Sequence, residues 1–375
     1  MEQYDTHENA LLLETTDKYA AGAAKEFPIE ALRERVTPEN FNWPVIREGA
    51  RAGFLTAPLP ESQGGIGLSG YELGQVLVKM AAARAGLAAI YALHWAGLMA
   101  LAAHQEHDQV RAWLADFAAR TAGNKPPLCG IAVPAAVIDL KAEAPIGVTA
   151  ENLVTIRGDF LCPLHPAVTA SVVMIVPGTD GELRAVWAGE ELASSCREVY
   201  PGTGLLEAPM ARLFLNDFKA PAISVLAQGP KALETAAILW QELYLGLAAV
   251  MVGNARAAES YAWEYARERV QTGRLIIEHQ EVRRMLEHMA TLNQAAGAMA
   301  AEVSRKFPGN DLAEARRAYA FVGGACEQVC LDAIQCLGGY GYMEDYGLER
   351  RLRDHKTLQC LLGSYVQDWV GPGQG

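Results

Sequence analysis

Residues 231–268, which begin KALETAAILWQELYLGLAAV, run for 38 positions without a proline. As one helix they reach about 57 Å. A helix of that length can bury its apolar stripe only against neighbours of similar length, and the sequence supplies them. A second helical period covers about 279–306. A third opens at Asn310 or Asp311, both good N-cap residues, and ends at the Gly338-Gly339 stop; a fourth covers roughly 345–361. Four long helices with short connections predict an antiparallel four-helix bundle over 229–375.

The first part of the chain, 1–127, also carries a helical period, in NALLLETTDKYAAGAAKEF, NFNWPVIREGARAGF, SGYELGQVLVKMAAARAG and DQVRAWLADFAART. The segment LTAPLPESQGGIGLSG (55–70) holds two prolines and four glycines, which predicts a structured loop between helices. One stretch, AGLAAIYALHWAGLMALAA (85–103), is long enough to cross a membrane. It is mostly alanine, glycine and leucine, contains a histidine and is closely flanked by charges, so it reads as a buried helix and not as a membrane insertion.

Between these helical parts the period changes. LVTIRGDFL, ASVVMIVPG, ELRAVWAG and MARLFLNDF are short, rich in β-branched and aromatic residues, and bounded by Gly, Pro, Asp and Asn. They predict antiparallel strands with no helices between them, a small middle β-domain over 128–228. The expected fold class is therefore mainly α with an inserted β-domain.

Composition removes several functions. The formal charge of -12 and the lack of any basic run longer than LERRLRDHK argue against a nucleic-acid partner. The acidic amino terminus has no apolar core of the kind a signal peptide needs. Seven cysteines form no CxxC pair, which fits reduced thiols and a cytoplasmic location. Cys326 and Cys330 share a helix face and, with Cys336, could hold a metal, but they read better as buried small residues. His104 and His107, in HQEH, read as an exposed helix end and a poor metal site.

Four motifs in order carry more information than any one of them. They are PESQGGIG (60–67), LFLNDFKAPAISVL (213–226), RVQTGRLIIEHQ (269–280) and QCLGGYGY followed by ERRLRD (335–354). Together with the helix–strand–helix order they resemble the acyl-CoA dehydrogenase family along nearly the whole chain. The third motif is similar to the family's R-x-x-F-G-x-x-I-x-x-x-Q: it keeps Arg269, Gly273, Ile276 and Gln280, with Thr272 in place of Phe. The fourth is similar to Q-x-x-G-G-x-G-Y, keeping Gln335, Gly338 and Gly339.

The resemblance implies an FAD whose adenine and pyrophosphate end lies on the bundle helices of one subunit while its flavin ring lies in the neighbour. The residue chemistry suits that role. Arg269 offers a fork of donors for a pyrophosphate oxygen. Gly338 and Gly339 let backbone N–H groups approach a cofactor. Gln280 and Gln335 offer neutral donors and acceptors. Taken singly, Arg269 also reads as a solvated helix-end cation and the glycine pair as a plain helix stop.

The departures fall on the other half of the family's site. Aligning Gln359 and Gly363 with the family's catalytic-base segment puts Leu362 at its Glu, and the alternative base position, 26 residues before Arg269, is Leu243. Neither can take a proton. Ala132 and Val133, in AVPAAVID, stand at the Thr and Glu of the flavin-covering T-E-P-G-A-G-S-D run. Leu164 replaces a hydroxyl that reaches the ring, and Tyr244 replaces a substrate-side Arg. The resemblance therefore implies a catalytically degenerate subunit of a heteromeric FAD-dependent acyl-CoA dehydrogenase, expected as a heterotetramer. A homologous partner would bring the Glu base and most of the acyl-CoA site, and an electron-transfer flavoprotein or similar acceptor would take the electrons. A non-catalytic scaffold or regulatory member, and a flavin-dependent relative of the desulfinase or oxygenase type, are the alternative readings.

Overall fold

The computed structural model describes residues 6–26, 34–135, 144–150, 153–200, 202–221, 224–307 and 311–362. Five helices come first: α1 (Thr6–Glu26), α2 (Trp43–Arg51), α3 (Gly70–Ala83), α4 (Ala85–Ala102) and α5 (Asp108–Arg120). Eight strands follow: β1 (Cys129–Pro134), β2 (Ile146–Ala150), β3 (Leu153–Cys162), β4 (Ser171–Pro177), β5 (Leu183–Ala188), β6 (Cys196–Val199), β7 (Ala211–Pro221) and β8 (Val225–Gln228). The chain closes with α6 (Pro230–Glu268), α7 (Gln280–Lys306), α8 (Leu312–Leu337) and α9 (Leu348–Cys360), and a small hairpin, β9 (Val270–Gln271) with β10 (Arg274–Leu275), joins α6 to α7. Residues 136–139 of AVPAAVID, Asn310 and Gly363 lie outside the described residues.

Local chemistry sets several of these ends. Ser69 and Glu72 form a capping box at the start of α3: the Glu72 carboxylate accepts from the Ser69 N–H at 2.7 Å, and the Ser69 hydroxyl accepts from the Glu72 N–H. Asp311 caps α8 by accepting the Glu314 N–H. Gly338 ends α8 with φ +60 and ψ −133, a backbone conformation only glycine takes without strain.

The sheet has the order β6-β7-β3-β1-β4-β5-β8, with β2 on β3. Most pairings are antiparallel, as the strand pattern predicts. The exception is β1 with β4, which run parallel in the register Cys129↔Ser171 to Ala132↔Met174. Strand pattern alone does not reveal it, because β1 is buried at every position and so has no alternation to read.

Helix α4 joins the sheet to the N-terminal helices, and its one histidine is the joint. His94 Nδ1 accepts the Cys129 N–H at 2.8 Å, which leaves its Nε2–H to donate to the Leu55 carbonyl at 2.9 Å. Burial lowers the His94 pKa to about 4, so the ring stays neutral and keeps that tautomer. One turn on, a side chain at Gly97 would press on the Gly130 carbonyl, so glycine sets the distance between α4 and β1. Helices α4 and α6 are long and apolar enough to cross a membrane, but 89% and 78% of their apolar windows are buried inside the protein. Both are core helices.

The charged helix α9 spends its ERRLRD residues inside the chain. Arg350 donates to Glu207 at 2.9 Å, Arg351 reaches the Asn254 side chain and the Ala82 carbonyl, and Arg353 pairs with Glu349 and reaches the Thr203 carbonyl. Asp354 accepts the Leu205 N–H at 2.6 Å. Burial, reinforced by the Glu207 charge, raises the Asp354 pKa. Helix α9 is thereby tied to α3, α6 and the 202–208 loop.

Candidate functional site

The exposed end of the bundle is built from the end of α6, the β9–β10 hairpin, the start of α7 and the turn after α8. Arg269 is the C-cap of α6, its N–H on the Tyr265 carbonyl. The hairpin turns through Thr272 (φ +52) and Gly273 (φ +80), two consecutive left-handed residues, as a tight two-residue hairpin turn requires. Gly273 is there for its φ; Thr272 is held in a conformation that β-branched residues rarely take. The Arg269 carbonyl accepts the Ile276 N–H at 2.8 Å, which closes the loop and buries Ile276.

The Arg269 guanidinium lies 5.3 Å from the centre of the Tyr340 ring, and Tyr340 packs in turn on Tyr346, ring centres 5.2 Å apart and tilted by 39°. The structure thus brings Arg269 against the Gly338–Tyr342 turn. Among the described residues Arg269 forms no ion pair, so its donor fork stays open to solvent over an aromatic face. Gln280, the first residue of α7, and Gln335, in the last turn of α8, are both exposed and make no side-chain hydrogen bond among the described residues. Side chains added at Gly338 or Gly339 would meet nothing within 4 Å, so the surface above the turn is open. Gly341 differs: a side chain there would collide with the Ile334 backbone. This donor set (a free guanidinium, two exposed amides and an uncovered glycine turn) fits the phosphate and base end of a nucleotide cofactor. The rim is apolar, with Val270 55% and Tyr342 70% exposed beside Met343.

The interior where the family's base would stand is closed. Leu243 is 0% and Leu362 3% exposed. Tyr244 packs on Tyr319 at 5.4 Å, and the Tyr319 hydroxyl donates to the Leu358 carbonyl at 2.7 Å, near the end of α9. Tyr244 and Tyr319 thus pack between α6 and α8, and both family base positions are buried leucines. Ala132, Val133 and Leu164 are buried and apolar as well, and offer no polar group to a flavin ring. These residues do not fit the ring half of an FAD.

Glu242, next to Leu243 on α6, points into a small cavity between α3, α4 and α6 lined by Leu73, Leu77, Ala92, Trp95, Leu245 and Gly246. Its Oε1 has no hydrogen-bond partner, and burial raises its pKa to about 8. No basic group lines that space. Cys326, Cys330 and Cys336 are buried in α8, and burial raises their pKa values, to about 12 for Cys330 and about 11 for Cys336. The reading of HQEH as an exposed helix end needs correction: His107 is exposed, but His104 is only 5% exposed. Its ring turns inward because Thr235 on α6 offers a partner, with Nε2 2.7 Å from the Thr235 hydroxyl.

Comparison with known proteins agrees at three levels. Residues 6–121 match the model for the acyl-CoA dehydrogenase N-terminal domain, and residues 244–365 that for the acyl-CoA dehydrogenase C-terminal domain. Over 94% of both chains the protein is 26% identical to the caffeyl-CoA reductase–Etf complex subunit CarC of Acetobacterium woodii. It is 35% identical to an acyl-CoA dehydrogenase of Bacillus subtilis over a match that spans 43% of each chain. Its fold is similar to that of butyryl-CoA dehydrogenase from Megasphaera elsdenii, with a TM-score of 0.82 and 20% identity over 97% of this chain and 96% of that one.

Proposed function

The chain belongs to the acyl-CoA dehydrogenase family, and from that premise we propose that it serves as the non-catalytic subunit of a heteromeric enzyme. In this reading it gives its exposed bundle end to an FAD held mainly by a homologous, catalytically complete partner. Arg269 would hold the pyrophosphate, Gln280 and Gln335 the sugar and adenine edges, and Gly338 and Gly339 would leave backbone N–H groups accessible. The bound FAD supplies the hydride acceptor for oxidation of an acyl-CoA thioester between Cα and Cβ. The base comes from the partner, because Leu243 and Leu362 carry no proton-accepting atom.

The observation that carries the reading is the contrast within one chain: an open, polar bundle end beside an apolar rim, and a sealed interior at both base positions. A degenerate homo-oligomer has no use for half a site, whereas a complete partner does. The relative CarC is a subunit of a reductase–Etf complex, which supports an electron-transfer flavoprotein or similar acceptor and a multi-subunit assembly such as a heterotetramer. Free buried thiols suit a cytoplasmic setting.

Arg269→Ala tests the assignment. It removes a charge-assisted bidentate contact, a loss of about 1.5–3 kcal/mol, or roughly ten- to a hundredfold in FAD affinity. The variant is co-expressed with the partner, and FAD is titrated into the isolated complex. A complex that assembles and keeps wild-type FAD affinity would refute the shared-cofactor reading.

A further inference from the structure

The turn between α4 and α5 holds the one group of three or more His, Cys, Asp and Glu side chains among the described residues whose ligand atoms converge. His104, Glu106 and His107 place a ring nitrogen, a carboxylate oxygen and a second ring nitrogen within 4.8 Å of one another.

The tautomer of His104 follows from its neighbours. The Thr235 hydroxyl donates to the Lys231 carbonyl at 2.9 Å, so toward His104 it can only accept. Nε2, at 2.7 Å, therefore carries the proton, and Nδ1 is left with a bare lone pair. Nδ1 is sealed from solvent and has no hydrogen bond. What it faces is the Glu106 carboxylate, with Oε1 at 3.6 Å, and His107 Nε2 lies 3.9 Å from the same oxygen. A bare lone pair aimed at a carboxylate is repulsive unless a proton or a metal cation stands between them.

We propose that His104 Nδ1, Glu106 and His107 Nε2 form a binding site for a first-row divalent transition metal, zinc foremost, with water as the fourth ligand. Two imidazoles and one carboxylate suit such an ion and not magnesium or calcium, which take oxygen ligands. Bonds of about 2.0–2.1 Å in tetrahedral geometry put neighbouring donors roughly 3.3 Å apart. The two distances to Glu106 are already near that value, and the exposed Glu106 and His107 side chains can close the remainder. The Nε2–H bond to Thr235 is the outer contact that orients a ligating histidine. The ammonium of Lys231 opposes the ion, but Lys231 is exposed, so solvent screens it. An ion here would pin the α4–α5 turn to the first turns of α6 through His104 and Thr235.

The test uses the whole chain, stripped with a chelator and titrated with zinc sulfate in a calorimeter, with melting temperature followed alongside. One equivalent of zinc should bind and raise the melting temperature. Glu106→Gln and His107→Ala change exposed side chains, so the fold should survive, and each should weaken binding at least tenfold; the double variant should lose it. Thr235→Val should weaken binding by about ten- to a hundredfold through the misoriented ring. The proposal fails if wild-type protein shows no saturable zinc binding, if magnesium binds as tightly as zinc, or if the double variant keeps the wild-type affinity and stoichiometry.

Discussion

The two halves of helix α6 have opposite surroundings. Leu243 and Tyr244, in its first half, are buried, with Tyr244 packed on Tyr319. Arg269, 26 residues and about 39 Å further along, stands over Tyr340 with its donor fork open. In the closed end a polar group is costly, and substitutions there should be felt as lost stability. At the open end polar groups cost little, and substitutions should be felt only when something binds. Each variant below asks whether that division holds.

The largest effect is expected from putting a carboxylate into the closed end. Leu243→Glu or Leu362→Glu puts a carboxylate at a fully buried position, a destabilisation of order 4 kcal/mol. Neither should produce acyl-CoA turnover by the lone chain, since a base acts only on a substrate and acceptor already held in reach. Urea unfolding and a dehydrogenation assay measure the two outcomes. A stable variant that turns over an acyl-CoA would show that the interior is an active site after all.

Glu242 already places a carboxyl in the closed end, and it is expected to show the next largest effect. Its folded-state pKa is raised from 4.5 to about 8. Between those values the folded chain keeps a proton that the unfolded chain has released, so stability falls as pH rises through the window and levels off above pH 8. Each pKa unit is worth about 1.4 kcal/mol, so after relaxation Glu242→Gln should gain of order 3 kcal/mol over wild type at pH 8 and almost nothing near pH 4.5. Some slope should remain, because Asp354 is raised in the same direction. Parallel pH–stability curves for the two proteins would mean that the cavity admits enough water to solvate the charge.

How much of this could be read from the chain depends on how local the cause is. The bundle helices are legible because the 3.6-residue period, Asp311 and Gly338 act within a few residues of the ends they set. Strands β1, β2, β6 and β8 are not: β1 lacks alternation, and the other three have only four or five residues. Helix α9 looks like a solvated charged helix, yet Arg350 pairs with Glu207, 143 positions earlier. The inward turn of His104 depends on Thr235, 131 positions later. The motif residues Arg269, Gly273, Gln280, Gln335, Gly338 and Gly339 are legible as a set because family spacing preserves them. That they share an open surface, and that Arg269 rests on Tyr340, comes only from how α6 and α8 end side by side.

Within the glycine turn of the open end, Gly341 and Gly339 have different surroundings and should behave differently. Gly341→Ala drives a methyl group into the Ile334 backbone and should cost about 1–3 kcal/mol by thermal melting. Gly339→Ala meets no protein atom and should leave stability within about 0.5 kcal/mol. Equal losses at the two positions would show that the turn is a helix stop throughout, with no open face.

The smallest effect is expected at Gln335, and it tests the open end most finely. The side chain is exposed and makes no hydrogen bond among the described residues, so Gln335→Ala should not move stability by more than about 0.5 kcal/mol. In the complex with the partner its contacts would be neutral, each worth about 0.5–1.5 kcal/mol, so FAD affinity should fall roughly two- to tenfold, less than for Arg269→Ala. That ranking is the informative quantity, because a charged anchor and a neutral reader differ in strength while occupying the same surface. Titrating FAD into both variant complexes at one ionic strength gives the ratio directly. A loss at Gln335 as large as that at Arg269 would mean that the phosphates do not rest on the guanidinium. No loss at Gln335 would leave it an ordinary last-turn residue and narrow the cofactor surface to Arg269 and the glycine turn.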